Sequence, residues 1–426
     1  MKFLKNLRTS SALRVSPIAI AIVLFYYFTN DISTLPNYGY APTVVANAIG
    51  PMGRWAWAAA AMLGVWEMGR FKASDVRESP LLSRRFQVMA CAAVPILLLT
   101  WLMLILPVAL ALFQTGIAPT IGSLIPLGQE MIICVAYVVT GFGVGYWVPR
   151  RIATPLIGGL VYYFVVYSVT SYSFWWRHLT GNYFDPVMFG ELPTPSVVLT
   201  PLLFIGSIAL AFALGWSPLK PLMLRYFVAV LVVSSGTLGS YVIVKNWGST
   251  MPVMSVGAPM KCAGKAPKVC MPAMAAEKLD FVRTEAASVV HDLSSAGAVK
   301  APVLITDRMA DGREQKLSTE STWRASLSDG AAVGDVRYRI AMASLRFRCT
   351  QPDFDTGNAL ALWTATQSGE RAAFVKRLDA WVTGPGGDAE RVKRIVRQVD
   401  EVRSRPKGEQ VRWYQQSVST ACKEKK

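Results

Sequence analysis

Histidine is almost missing from this chain of 426 residues: only His178 and His291 occur. They stand too far apart for the two-histidine helix of a zinc peptidase, which excludes that chemistry. No serine occupies a G-x-S-x-G turn, so the common hydrolase elbow is absent. None of the 32 glycines opens a phosphate-binding loop ending in Gly-Lys-Ser/Thr, so the chain has no nucleotide engine of its own. Charge is scarce as well. Charged residues make up 17% against 52% hydrophobic, a balance unusual in a soluble protein. Only seven carboxylates fall in the first 244 residues. That stretch has no pair of intramembrane carboxylates, no arginine ladder and no filter sequence, so no proton relay, voltage sensor or selective pore is legible there.

The same stretch does hold seven long apolar runs, near Ser16–Asn30, Gly53–Gly69, Val88–Phe113, Gln129–Val148, Pro155–Trp175, Thr200–Trp216 and Tyr226–Val244. A hydrocarbon core about 30 Å thick takes roughly 20 helical residues to cross. Backbone groups in lipid must pair within their segment, so these runs read as helices; a barrel would show shorter, alternating stretches. Of the 15 Lys and Arg residues up to Val244, all but Arg54 and Arg177 fall on the cytoplasmic side when the N-terminus is inside. The positive-inside bias therefore selects N-terminus in and, with seven spans, C-terminus out. Lys2, Lys5, Arg8 and Arg14 precede the first run as in a signal peptide, but no small-x-small cleavage site follows, so the run reads as an uncleaved span.

The expected architecture is an all-α polytopic membrane bundle of seven transmembrane helices (1–244), a Gly-, Pro- and Ser-containing linker (245–261), and a mainly α-helical extracellular domain (262–426). In the outer part, Ala273–Ser295 has apolar residues at a helical period and a Gly297 suited to end it. Pro302–Thr306 is a strand candidate, while 310–335 is polar and without clear pattern. Arg337–Cys349, Asn358–Thr366, Glu370–Val382, Ala389–Arg403 and Glu409–Cys422 read as helices, although Arg337–Ile340 also alternates as a strand would. Cys91 and Cys134 fall in spans and read as packing residues. Cys262, Cys270, Cys349 and Cys422 fall in the outer domain, where an even number in an oxidising compartment suggests two disulfides. Three pairings are possible; Cys262–Cys270 with Cys349–Cys422 is the favoured one.

The net charge of +17 is divided between the two parts, +8 up to Val244 and +9 beyond it. In the membrane part it records topology and contact with anionic membrane lipid. The basic residues are spread along helices rather than grouped with aromatics, so no nucleic-acid partner is expected. Candidate sites are few. The loop Phe71–Gln87 is the largest cytoplasmic connection, and with Glu67, Arg70, Lys72, Asp75, Arg77 and Glu78 it reads either as a solvated turn or as a surface for a cytoplasmic partner. Glu130 is a candidate polar membrane site, although its place near the start of a span lets it reach interfacial water. His291 lies on an amphipathic helix without a catalytic companion. No catalytic, cofactor-binding or metal-ligating set is expected.

The string Gly141-Phe142-Gly143-Val144-Gly145-Tyr146-Trp147-Val148-Pro149-Arg150-Arg151-Ile152-Ala153-Thr154-Pro155-Leu156 resembles the small-residue span, Arg-Arg turn and Ala-Pro restart of actinobacterial ABC-transporter permease subunits. Trp66-Glu67-Met68-Gly69-Arg70 is similar to the end of their second span. Cys262…Val269-Cys270-Met271-Pro272-Ala273 resembles their Cys…Val-Cys-x-His-Pro-Ala segment, with the histidine absent from this string. Ordinary exporter permeases have six spans and a cytoplasmic C-terminus, so the seventh span and outer domain are departures. The resemblance implies a permease-like subunit that moves an unknown substrate with energy from a separate ATP-binding subunit, docked at the Phe71–Gln87 loop, with a homodimer as one assembly. A reading from another class is a non-transporting anchor that presents an extracellular domain for binding, sensing or immunity.

Overall fold

The computed structural model describes residues 10–30, 39–72, 82–182, 187–215, 221–257, 259–349, 351–384 and 387–422, with backbone alone at 72 and 82–88. The chain forms two compact units that divide after Val256.

The first unit is helical. Its elements are α1 (Ser11–Thr29), α2 (Ala41–Lys72), α3 (Leu82–Thr115), α4 (Ile121–Trp147), α5 (Arg150–Thr170), the short α6 (Trp175–Thr180), α7 (Pro195–Leu214) and α8 (Leu222–Val244). Six segments are long and apolar enough to cross a membrane: α1, Met89–Thr115, α4, α5, α7 and α8. This is the pattern of a multi-pass membrane protein. The sequence reading expects a seventh at Gly53–Gly69, which lies inside α2. That helix is rich in alanine and carries Arg54, Glu67 and Arg70, which hold its hydropathy down. Its surroundings account for the composition: α2 packs against α3, α4 and α5, with Ala48, Ala56, Ala60, Ala61 and Val65 wholly buried. A helix enclosed by other helices gains from small residues that admit close backbones and does not need a lipid-facing coat. By contrast, α8 fully buries only Ser240 and Val244, packs on α7, and leaves much of its remaining surface exposed.

Glycines set the α2–α4 contact. A methyl group on Gly141 would strike the Ala61 carbonyl oxygen, one on Gly64 would lie 2.7 Å from the Val138 oxygen, and one on Gly145 2.7 Å from the Val65 oxygen. Thr120 caps α4 and forms a reciprocal capping box with Ser123, so α4 starts eight residues before the expected Gln129. The segment 245–261, expected as a linker, contains β2 (Val253–Ser255), antiparallel to β1 (Glu191–Pro193).

The second unit is helical with a small sheet. Its strands β3 (Met260–Ala263), β4 (Lys268–Pro272), β5 (Leu304–Asp307) and β6 (Thr322–Ala325) lie in that order, β3–β4 antiparallel and β4–β5–β6 parallel. Only β5 corresponds to an expected strand. The others are four or five residues long, too short for a period-2 pattern to show. The helices are α9 (Leu279–Ser295), α10 (Leu327–Val333), α11 (Val336–Ala343), α12 (Phe354–Gln367), α13 (Arg371–Val382), α14 (Ala389–Arg403) and α15 (Lys407–Thr420). Two corrections concern boundaries: 273–278 is a 3-10 turn before α9, and the helix expected over Arg337–Cys349 ends at Ala343. α9 buries Val282, Ala286, Val289, Val290 and Leu293, the expected apolar face. It closes in a Schellman motif, with Gly297 N–H donating to Ser294 O and Ala298 N–H to Leu293 O, Gly297 being at φ 72°.

One core lies among the sheet and α9–α11, around Trp323, Ile305 and Leu293. Another lies among α12–α15, around Trp363, Phe374 and Tyr414. Both favoured disulfides are present: Cys262 and Cys270 are directly opposed on β3 and β4, and Cys349 is bonded to Cys422.

Candidate functional site

The first candidate group lies at the C-terminal end of α2. Glu67 is 4% exposed and accepts hydrogen bonds from Ser11 N (2.7 Å), Ser11 Oγ (2.6 Å) and Arg70 Nη1 (2.9 and 3.0 Å). Ser10 caps the same helix start by accepting from Ala12 N at 3.2 Å. The carboxylate thus meets the positive end of α1 and satisfies a donor the helix leaves open. The Arg150 guanidinium lies 5.1 Å from the centre of the Trp66 ring, and Gly69 leaves room for the Arg150 stem. Three helices therefore meet through Ser11, Trp66–Arg70 and Arg150. Of the expected docking residues, Glu67 and Arg70 bond to each other, Lys72 ends α2, and Asp75, Arg77 and Glu78 lie outside the described residues.

Glu130 lies nine residues into α4, about 14 Å along the helix from its first residue. This corrects its expected place near a span's start. It is 9% exposed, and its carboxyl meets no cation among the described residues. A methyl on Gly53 would lie 2.7 Å from its Oε2, so α2 approaches the carboxyl closely because it offers a glycine there. Trp57 of α2 is buried and faces that carboxyl with its indole N–H, and the Trp57 ring stacks on Tyr137 at 5.9 Å. A carboxyl in an apolar interior with an indole as its neighbour and no cation is costly to keep charged, and such groups inside membrane bundles concentrate at working sites.

From α6, Arg177 donates to Val169 O of α5 (2.7 Å) and to Ser249 O beyond α8 (3.0 Å), while His178 Nε2 lies 2.9 Å from Gly248 O. The His178 ring is fully buried against Trp247, and burial, aided by the Arg177 charge, lowers its proton affinity.

In the second unit, a cavity of about 330 Å³ opens between the β5 and β6 ends and α11. Arg308 from the 3-10 turn after β5, Arg324 from β6, Arg339 from α11 and Arg346 from the segment after α11 line it. Arg324 is fixed by Asp311 (2.9 Å) and by Leu317 O (2.9 Å), and Arg339 by Asp335 (2.8 Å). Beneath Arg308, Asp307 is fully buried and accepts from Met309 N (3.0 Å), Ser328 N (2.7 Å) and Ser328 Oγ (2.7 Å). Burial raises the Asp307 carboxyl's proton affinity, against the pull of those bonds. Sequence reasoning missed this constellation because its arginines sit on four elements with no common spacing. His291 lines another cavity, of about 370 Å³, with Asp292, Trp363, Arg403 and Gln410.

Residues 269–422, most of the second unit, match a family described as a domain of unknown function, DUF7224. No curated protein and no solved structure matches the chain.

Proposed function

We propose that the chain is the membrane-spanning, permease-like subunit of an ABC-type transport system, with its second unit outside the cell and a separate ATP-binding subunit inside. One observation supports this reading most. Two of the three strings that resemble permease subunits are over 70 residues apart in sequence yet meet in space. Gly145 of α4 seats against Met68 of α2, and Arg150 covers Trp66 and Gly69. In these two the likeness therefore falls on one packed unit rather than on scattered composition. At 32 residues α2 is about 48 Å long, enough for a seventh crossing. Seven crossings with the positive residues inside put the second unit outside, where its two disulfides find an oxidising compartment.

The test is co-purification. The protein, extracted in mild detergent, should bring down an ATP-hydrolysing partner. Asp75→Asn, Arg77→Gln and Glu78→Gln together should release that partner while the melting temperature holds. Recovery of no ATPase under any mild extraction would overturn the reading. Glu67 is unsuited to this test, because its bonds to Ser11 and Arg70 make it part of the bundle's packing.

A second reading, a membrane anchor that presents a binding domain, draws support from the second unit's own cores and disulfides. It differs in outcome: the triple loop variant would keep full function.

A further inference from the structure

We propose that the cavity lined by Arg308, Arg324, Arg339 and Arg346 binds a small amphipathic anion: an oxyanion group carried on an apolar body. The inference is independent of whether the chain transports anything.

Charge provides the first support. Among the described residues, the carboxylates within ion-pair distance of these four guanidiniums are Asp311, Asp329 and Asp335. Asp335 is shared, since Arg377 also bonds to it at 2.6 Å. Arg308 and Arg346 form no ion pair among the described residues. The cavity therefore keeps an excess of positive charge that its own acids do not cancel. Arg346 is only half-buried and Arg308 exposed, so the guanidiniums stand at the mouth, where an anion arrives from solvent.

Geometry provides the second. Arg324 and Arg339 are held by their acids and by the Leu317 carbonyl, so their forks are already oriented before a ligand comes. Planar guanidiniums pair with phosphate or carboxylate through two parallel bonds, and fixed forks lose less entropy in doing so. The lining also has an apolar part, formed by the Tyr338 ring, Met342, Leu345 and Phe347. At about 330 Å³ the space lies at the small end of ligand sites and suits a ring or short chain beneath one anionic group. Inorganic phosphate alone leaves that apolar part wet. A neutral ring leaves the arginines unmet.

The experiment titrates full-length protein in phosphatidylcholine nanodiscs with phenyl phosphate, by calorimetry against empty nanodiscs. Phenol supplies the body without the charge, and inorganic phosphate the charge without the body. Phenyl phosphate should bind at least tenfold tighter than either, and more weakly as salt rises. Arg308→Gln with Arg346→Gln should weaken it at least tenfold, and Arg308→Glu, at an exposed position, should do the same without touching a buried one. Arg348→Glu makes the same charge change at an exposed residue outside the lining and should leave binding within twofold. Equal binding by the double variant and the unaltered protein would overturn the proposal, as would phenol or inorganic phosphate binding as tightly as phenyl phosphate.

Discussion

Glu67 holds Ser11 by two hydrogen bonds, from the backbone N–H at 2.7 Å and from the hydroxyl at 2.6 Å, across 56 residues of sequence. A side chain that composition places at a membrane boundary, next to Arg70, is thus also the cap of another helix. Glu67→Ala should destabilise the bundle by about 2–4 kcal/mol, since it strands buried donors on α1 and leaves Arg70 without its acid. Glu67→Gln should cost about half as much, because it still accepts from Ser11. Melting temperatures in one detergent, compared across the two variants, read the order.

Gly141 is predicted to be intolerant of a single methyl. Gly141→Ala drives a carbon into the Ala61 carbonyl, and overpacking of this kind costs about 1–3 kcal/mol. Gly159→Ala on α5 is the matched control, with nothing within 4 Å of the added carbon. The control should melt at or slightly above the unaltered protein, and a Gly141→Ala variant that melts with it would show that α2 and α4 are not packed this closely.

The two disulfides should differ in weight. Cys349–Cys422 closes a separation of 73 residues and Cys262–Cys270 one of eight. Loop-closure entropy assigns them about 4 and about 2 kcal/mol. Cys349→Ser with Cys422→Ser should therefore lower the second unit's denaturant midpoint by more than Cys262→Ser with Cys270→Ser does. Membrane-impermeant thiol labelling of intact cells, before and after reduction, reports in parallel on which side these cysteines lie.

His178 gives the membrane unit an acid-sensitive joint. Burial lowers its folded value below the ordinary 6.5, so the neutral ring is the packed form. Its contribution to stability is fully present above 6.5 and is lost as the pH falls through the lowered value. Melting temperatures from pH 8 down to pH 5 should fall on the acid side. His178→Gln, which keeps a donor for Gly248 O but cannot take up a proton, should flatten that fall. Parallel curves for the two proteins would exclude His178 as its source.

Periodic segments were legible. The apolar period of α9 and its Gly297 stop were readable because one face is buried along the whole helix, and α14 has the bounds expected of it. Cysteine spacing was enough to favour the right disulfides. The depth of Glu130 was not readable: the apolar run reads as beginning at Gln129, whereas Thr120 and Ser123 cap a helix that starts eight residues earlier. The arginine-lined cavity was invisible for another reason. Its members gather only when β5, β6 and α11 come together, and tertiary placement leaves no spacing in the chain. Nor did composition show that α2 is central, since alanine marks close packing as readily as weak hydropathy.

Arg337 belongs to α11, in the core around the sheet, yet it bonds in both directions. It reaches Glu285 (3.0 Å) and Asp292 (3.2 Å) on α9, and Ser368 O (2.9 Å) and Glu370 (3.4 Å) at the corner between α12 and α13. One guanidinium thus spans the seam between two hydrophobic cores that share only a few side chains, Met342 and Val299 among them. The consequence is cooperativity. With that seam intact, opening of one half should expose the other, and limited proteolysis should degrade the domain in a single step. Without that guanidinium, Glu285, Asp292, Glu370 and Ser368 O lose a shared donor, and the two cores lose a charge that ties them to each other's helices.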